Sequence, residues 1–436
     1  MSQVDVARRW APLALSWLAM GMEQPIVAAV MARLADPAVN LAAYGGVVMP
    51  VALLIEAPIM MLLTASTALA KDTASYRLMH RFMLLAGLAL TVVHAAVAFT
   101  PLYDVTVVPL LDPPEVVRAP AQLGLQLMLP WSWAIAYRRF HQGLLIRNDR
   151  ARHVTIGTVL RIVALGVVLL AAALAGASGI VAGGLAIGVA VTVEAAYAGV
   201  VARPVVTGPL ARAEPAHPPL TMPAFLSFYW PLALTSLVAL AVTPLGSAAI
   251  SRMPEALPSL AAWPVVGGLL FMFRSLGFAF NEVVVAMLDR RDAYPALRRF
   301  TLALGSAVLA ATALVAFTPL SRLWFAVVSG LPPDLTRLAT LGFTAALLWP
   351  ALDVVRNLFQ GVAVHGRHTN HVSESMFVFL GVSAVILGVG AFWDAFPALP
   401  YAMAAFVLAT AAQVGWLWWR GRGELRRLAA AAAGAG

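Results

Sequence analysis

Long apolar stretches dominate the chain, each about as long as a membrane crossing, and short charged breaks separate them. About 20 mainly apolar residues carry a helix across hydrocarbon. On that measure the pattern predicts twelve spans: 10–33, 41–70, 80–101, 119–145, 154–176, 179–202, 224–252, 258–288, 299–318, 337–363, 371–392 and 397–420. Only "ASG" separates the fifth from the sixth. The opening "ARRWAPLALSWLAMG" has the outline of a signal peptide. Its apolar run leads into Glu23, Gln24 and Pro25 without a small-residue cleavage site, so it is expected to remain as the first span.

Composition agrees with an all-α polytopic membrane protein. The 436 residues are 61% hydrophobic and 11% charged, with a mean hydropathy of +0.85. Without cysteine there are no disulfides, thiolate metal sites or thiol nucleophiles. A net charge of +9 would fit a nucleic-acid partner, but its distribution does not. With the N-terminus placed in the cytoplasm, inner loops and tails hold 19 Lys or Arg, among them Arg290 and Arg291, and outer loops hold five. That bias predicts an inner-membrane protein with both termini cytoplasmic, its surroundings lipid rather than nucleic acid.

The chain also repeats itself. "PLALSWLAMGMEQPIVAAVMARLADPAVNLAAY" from Pro12 aligns without gaps with "PLALTSLVALAVTPLGSAAISRMPEALPSLAAW" from Pro231, 11 of 33 positions being identical. Prolines and an arginine are shared (Pro25 with Pro244, Arg33 with Arg252), and apolar composition alone does not account for those. The offset is 219. A second pair repeats at 218: Trp131, Arg138, Gln142 and Gly143 in "WSWAIAYRRFHQG" match Trp349, Arg356, Gln360 and Gly361 in "WPALDVVRNLFQG". Six spans per unit is an even number, so both halves enter the membrane in the same direction. The expected organisation is a six-helix bundle over 1–202, a proline-rich cytoplasmic linker over 203–220 and a second bundle over 221–436 with a short basic tail. Two such bundles suit alternating access.

A charge near the bilayer centre costs about 2.5–3.5 kcal/mol or more, so it needs a partner, water or a function. Trp349, Asp353, Arg356 and Gln360 are spaced by four, three and four residues, which puts them on one helical face. Trp131, Arg138 and Gln142 hold the matching face in the fourth span. Arginine suits phosphate or carboxylate because its planar fork donates two parallel hydrogen bonds and keeps its charge. Arg138, Gln142, Arg274, Asp353, Arg356 and Gln360 are therefore the candidate substrate-binding residues, with Arg138 and Arg356 on opposite walls of one cavity. Two structural readings stand beside this one. Arg138, Arg139 and Arg161 can snorkel to headgroups, and Asp353 with Arg356 can form a self-contained i, i+3 pair. Glu23 and Glu56, at mid-depth in the first two spans, are the candidate ion-coupling groups, with a proton preferred to sodium. The histidines, His94 and His141 included, are expected at interfaces.

Two transporter superfamilies share the twelve-helix plan. The major-facilitator loop motif between the second and third spans does not fit "AKDTASYRLMHR". The chain resembles the multidrug/oligosaccharidyl-lipid/polysaccharide (MOP) exporter superfamily, and within it the progressive-ankylosis protein family. The resemblance rests on "FYWPLAL" (Phe228 to Leu234), "LMLPWSWAIAYRRFHQGLLIRNDR" and "YGGVVMPVALLIEAPIMML". It implies a V-shaped, MATE-like fold and efflux of anionic metabolites such as citrate, nucleotide phosphates or pyrophosphate. The expected function is thus export of a small organic or phosphorylated anion by a monomer. A multidrug cation exporter and a flippase for an anionic lipid-linked saccharide are the alternatives. A membrane-embedded transferase is more remote: the longest outer loop lacks histidine, and no nucleotide loop, zinc motif or nucleophile elbow occurs. No catalytic residue, metal or cofactor is expected.

Overall fold

The structure, a computed structural model, describes residues 3–288, 293–366, 368–393 and 395–433. Arg290 and Arg291 lie outside the described residues. All regular structure among the described residues is helical. Among the described residues, eleven helices are long and apolar enough to cross a membrane. The expected fourth crossing is present as two pieces, Glu115–Leu127 and Leu129–Arg147, broken at Met128. Arginine, histidine and glutamine in its second piece explain why apolarity alone does not mark it. The sixth span runs on through Thr207 into the short helix Pro209–Arg212, so the expected linker is irregular only beyond that point.

The repeat seen in the sequence is also a repeat of backbone geometry. The tenth span is likewise broken, into Pro333–Ala345 and Trp349–His365. Its ends, 333 and 365, lie 218 residues beyond those of the fourth span, 115 and 147. Asp36 and Glu255, 219 residues apart, both adopt the left-handed conformation immediately before a helix, with φ of 49° and 56°. "TPL" at Thr100 and at Thr318 ends the third and ninth spans identically: the threonine hydroxyl donates to the carbonyl four residues back (2.6 Å in both) and accepts the amide two residues on, at 3.2 and 3.3 Å. A one-turn π-helical segment then follows in each copy, Tyr103–Val107 and Leu323–Val328. Drifted side chains thus keep the same caps and breaks, because these depend on a few local hydrogen bonds rather than on the full sequence.

Packing divides the chain into two units: residues 34–248, and residues 1–33 together with 249–436. This differs from the division along the chain, because the first span of each expected half packs in the other's unit. Within the first unit Tyr229, in Met222–Leu240, donates its hydroxyl to the carbonyl of Pro58 at 2.5 Å. That carbonyl is available because the second span breaks into a 3₁₀ turn over Ala57–Ile59. Phe82 stacks edge-on against Phe225 and Tyr229. Within the second unit Trp10 donates its indole N–H to the carbonyl of Leu276 at 2.9 Å, and Trp17 donates to Glu282 at 3.1 Å. Gly21 lies against Phe271, and Gly268 leaves room for Pro25. The core below is apolar, with Phe280, Val284, Met287, Leu297, Val354 and Leu358 buried together.

Candidate functional site

Each unit buries one arginine centre. In the unit of residues 34–248 it forms where the fourth, fifth and sixth spans meet. The face carrying Trp131, Arg138 and Gln142 is buried along Leu129–Arg147. Gly179–Thr207 brings Glu194, 1% exposed, and Arg152–Leu174 brings Arg161. Arg138 Nη1 donates to Glu194 Oε2 at 2.5 Å, Gln142 Nε2 to Oε1 at 3.0 Å, and Arg161 Nη1 to Oε2 at 3.5 Å. Arg138 therefore does not extend toward headgroups. Its charge is held inside the unit by a carboxylate 56 residues away. Arg139 is half-buried, and its Nε has no hydrogen-bond partner. Glu56, 2% exposed, lies where the charges of Arg138 and Arg139 act on it, and its Oε2 is also without a partner.

Glycine sets this geometry at one position. A Cβ on Gly143 would come 1.9 Å from Ser66 Oγ and 2.3 Å from the carbonyl oxygen of Leu63. The fourth span can therefore lie against the second only with glycine there. Thr67 donates to the carbonyl of Gly143 at 3.2 Å across the same contact. Gly361 plays the equivalent part in the other unit, where a Cβ would sit 2.5 Å from Val284 Cγ1.

The second centre joins the eighth span, Ala256–Met287, to Trp349–His365. Asp353 is fully buried, accepts a hydrogen bond from Arg274 Nε at 2.5 Å, and is ion-paired with Arg356 Nη1 at 3.0 Å. The Arg274 guanidinium covers the ring of Trp349 at 4.0 Å, and both guanidinium groups approach Phe278, at 5.6 and 5.8 Å. An aromatic face attracts a desolvated guanidinium without consuming its hydrogen-bond donors. Asn281 donates to the carbonyl of Asn357, and Asn357 to that of Asp353, which ties the two helices together beside the carboxylate. Gln360 shares the arginine face and is half-buried, but it is not drawn into the pairs.

Glu23 is 7% exposed and begins the helix Glu23–Met31. The first span breaks just before it, at Met22, so the carboxylate sits at the break while Pro25 occupies the first turn. Two histidines are buried among the helices. His94 bridges Ser132 Oγ and the carbonyl of Leu125, at 2.9 and 3.0 Å, and His141 is held at 2.8 Å from the carbonyl of Tyr137. Among the described residues no cluster of three metal-ligating side chains occurs. Sequence reasoning located five of the arginines in these helices but did not give Glu194 or Arg161 a role in binding. A lone glutamate in "VTVEAAYAG" was the available signal, and it carries no address for its partner.

No protein-family model matches the chain, and no curated protein does. Solved structures do match in fold. A multidrug resistance MATE family transporter of the MOP superfamily, in an inward-facing conformation, aligns over 95% of this chain and 98% of its own with a TM-score of 0.74 at 12% identity. A MOP superfamily transporter from Pyrococcus furiosus, described as having a binding pocket of reverse polarity, aligns over 97% and 96% with a TM-score of 0.64 at 12% identity. The lipid II flippase MurJ aligns over 95% and 89% with a TM-score of 0.61 at 12% identity. The chain has the all-helical fold of MATE-type transporters.

Proposed function

We propose that the protein is a secondary active transporter that exports a small organic or phosphorylated anion by alternating access. The observation that carries this reading is the imbalance inside each centre. Arg138 and Arg161 share the single carboxylate Glu194, and Arg274 and Arg356 share Asp353. In each centre two guanidinium groups converge on one buried carboxylate, and Arg138 Nε and Arg356 Nε have no hydrogen-bond partner, so an anion would complete the set. A carboxylate or phosphate substrate supplies that anion and competes for forks already oriented by the protein. A cationic drug would need available carboxylates, whereas Glu194 and Asp353 are occupied by arginine and Glu56 lies under the positive charges of Arg138 and Arg139. The resemblance to the progressive-ankylosis family points to the same substrate class, of the citrate, nucleotide phosphate or pyrophosphate type. Glu23 and Glu56 are the proposed ion-coupling groups, the proton the proposed ion, and a monomer with cytoplasmic termini in the inner membrane the proposed form.

The test is stabilisation of the purified protein by citrate, nucleotides and pyrophosphate, set beside cationic dyes and lipid-linked sugars. Charge-assisted hydrogen bonds contribute about 1.5–3 kcal/mol each, so Arg138→Ala or Arg356→Ala should weaken anion binding about tenfold to a hundredfold. Arg→Lys should weaken it less, since charge remains and the fork is lost. Unchanged anion affinity in Arg138→Ala, Arg356→Ala and the pair, with folded protein, defeats the proposal. Stabilisation by lipid-linked sugars alone would favour the flippase reading, which draws on the same arginines and on the fold shared with MurJ.

A further inference from the structure

A second basic site lies away from both centres, within the unit containing residues 249–436. The ninth span, Ala293–Phe317, begins where Trp349–His365 ends and where the last helix, Ala398–Ala433, continues past its apolar part. Between them is a cavity of about 460 Å³, within the range of about 300–1,000 Å³ common to ligand sites. Trp418, Arg422 and Arg426 line it from the last helix, at successive spacings of four, and so from one face. Tyr294 and Arg298, also four apart, line it from the ninth span. Val355 and Phe359 close it with an apolar wall.

Among the described residues no carboxylate lines this cavity. Two neighbouring arginines show the contrast: Arg420 is paired with Glu374 at 2.9 Å, and Arg427 with Glu424 at 3.5 Å. Arg298, Arg422 and Arg426 are exposed, and none is in an ion pair among the described residues. Three unpaired guanidinium groups around one hollow favour an anion with several acceptor oxygens. Large apolar side chains at its rim are exposed. Trp418 is 54% exposed and Leu302, which also lines the cavity, 62%. Trp419 beside them is also exposed, in the manner of tryptophans at headgroup depth.

We infer that this cavity binds the phosphate headgroup of an anionic phospholipid, with Arg298, Arg422 and Arg426 on the phosphate and an acyl chain lying along Leu302 and Trp418. Basic pockets between spans at the membrane surface hold such headgroups. The site is independent of the transported substrate. A soluble anion would gain nothing from the apolar wall, whereas a phospholipid matches both halves of the site. Binding there would also tie the last helix to the ninth and tenth spans, and the tenth carries Asp353 and Arg356.

The experiment is native mass spectrometry of the full-length protein in neutral detergent, titrated with phosphatidylglycerol, with phosphatidylcholine, and with inorganic phosphate alone. Wild type should retain phosphatidylglycerol in preference to phosphatidylcholine. Each arginine removed should lower apparent affinity about fivefold, so the Arg298→Gln, Arg422→Gln, Arg426→Gln triple variant should lose the preference. Arg426→Gln alone should fall between, and it keeps the test valid if the triple variant does not fold. Arg203→Gln with Arg212→Gln, in the other unit, should match wild type. Equal retention of phosphatidylglycerol by wild type and the arginine variants would overturn the inference. Phosphate binding with the same arginine dependence and no lipid preference would overturn it in favour of a soluble anion.

Discussion

Replacing Glu194 by glutamine removes one negative charge and keeps the size and one acceptor oxygen of the side chain. Arg138 at 2.5 Å and Arg161 at 3.5 Å are then left facing a neutral amide, with only 8% and 10% of their side chains exposed. Breaking a buried pair by removing one partner costs about 3–5 kcal/mol, and the short contact to Arg138 should carry most of it. Arg138→Gln should cost about as much, by leaving the carboxylate with the neutral amide of Gln142 and only the longer ionic contact to Arg161. The double variant restores neutrality between the two positions, so it should be less destabilised than the sum of the singles, with a coupling of about 2 kcal/mol. The assay is chemical unfolding of all four proteins in mixed micelles, followed by tryptophan fluorescence. Additivity within about 0.5 kcal/mol would refute the view that this pair organises the centre. Anion binding gives a second readout with the opposite sign. If the substrate competes with Glu194 for Arg138, Glu194→Gln should bind it more tightly, by about tenfold for each 1.4 kcal/mol of competition removed. Weaker anion binding in a folded Glu194→Gln protein would mean that the glutamate orients the arginine rather than competing for it.

Gly143→Ala should destabilise the protein by about 1–3 kcal/mol, because the new Cβ meets the backbone carbonyl of Leu63. Gly166→Ala, with nothing within 4 Å, should unfold at the wild-type temperature or slightly above, and equal thermal midpoints for the two variants would contradict the packing argument. Glu56→Gln and Glu23→Gln should each reduce proton-gradient-driven uptake in proteoliposomes while leaving the folded fraction unchanged, and normal transport by the double variant would exclude both as coupling groups. Asp72 caps the third span and accepts the amides of Ala216 at 2.6 Å and Ser75 at 2.7 Å, and these bonds, that from Ala216 foremost, hold its carboxyl below the usual range. Its contribution to stability is therefore complete above the unfolded value of about 3.9 and is lost as pH falls through the lower folded value. Asp72→Asn should flatten the acid limb of the stability profile, and parallel acid limbs for the two proteins would show that other carboxylates govern it.

Much of this protein is local and therefore legible in one dimension. Apolar stretches of membrane length set the spans, since lipid requires each to satisfy its own backbone. The 218–219 residue offset fixed the duplication, and the structure repeats it in the breaks at Met128 and Ala346 and the left-handed turns at Asp36 and Glu255. The arginine-bearing faces of the fourth and tenth spans followed from helical spacing alone. Asp353 with Arg356 was readable as an i, i+3 pair for the same reason. Partners between helices were not readable. Glu194 meets Arg138 across 56 residues and Arg274 meets Asp353 across 79, and no periodicity encodes which helix a face will meet. The first span's place beside the eighth, and the place of Met222–Leu240 beside the second, likewise arose only in three dimensions. They depend on a carbonyl freed at Pro58, on Trp10 reaching Leu276, and on glycines at Gly21 and Gly268 that let helices approach. Sequence determines which face of each helix must be buried, because that is a property of one helix and its solvent. Tertiary structure decides what each face is buried against, because close packing and charge pairing are properties of two or more helices at once.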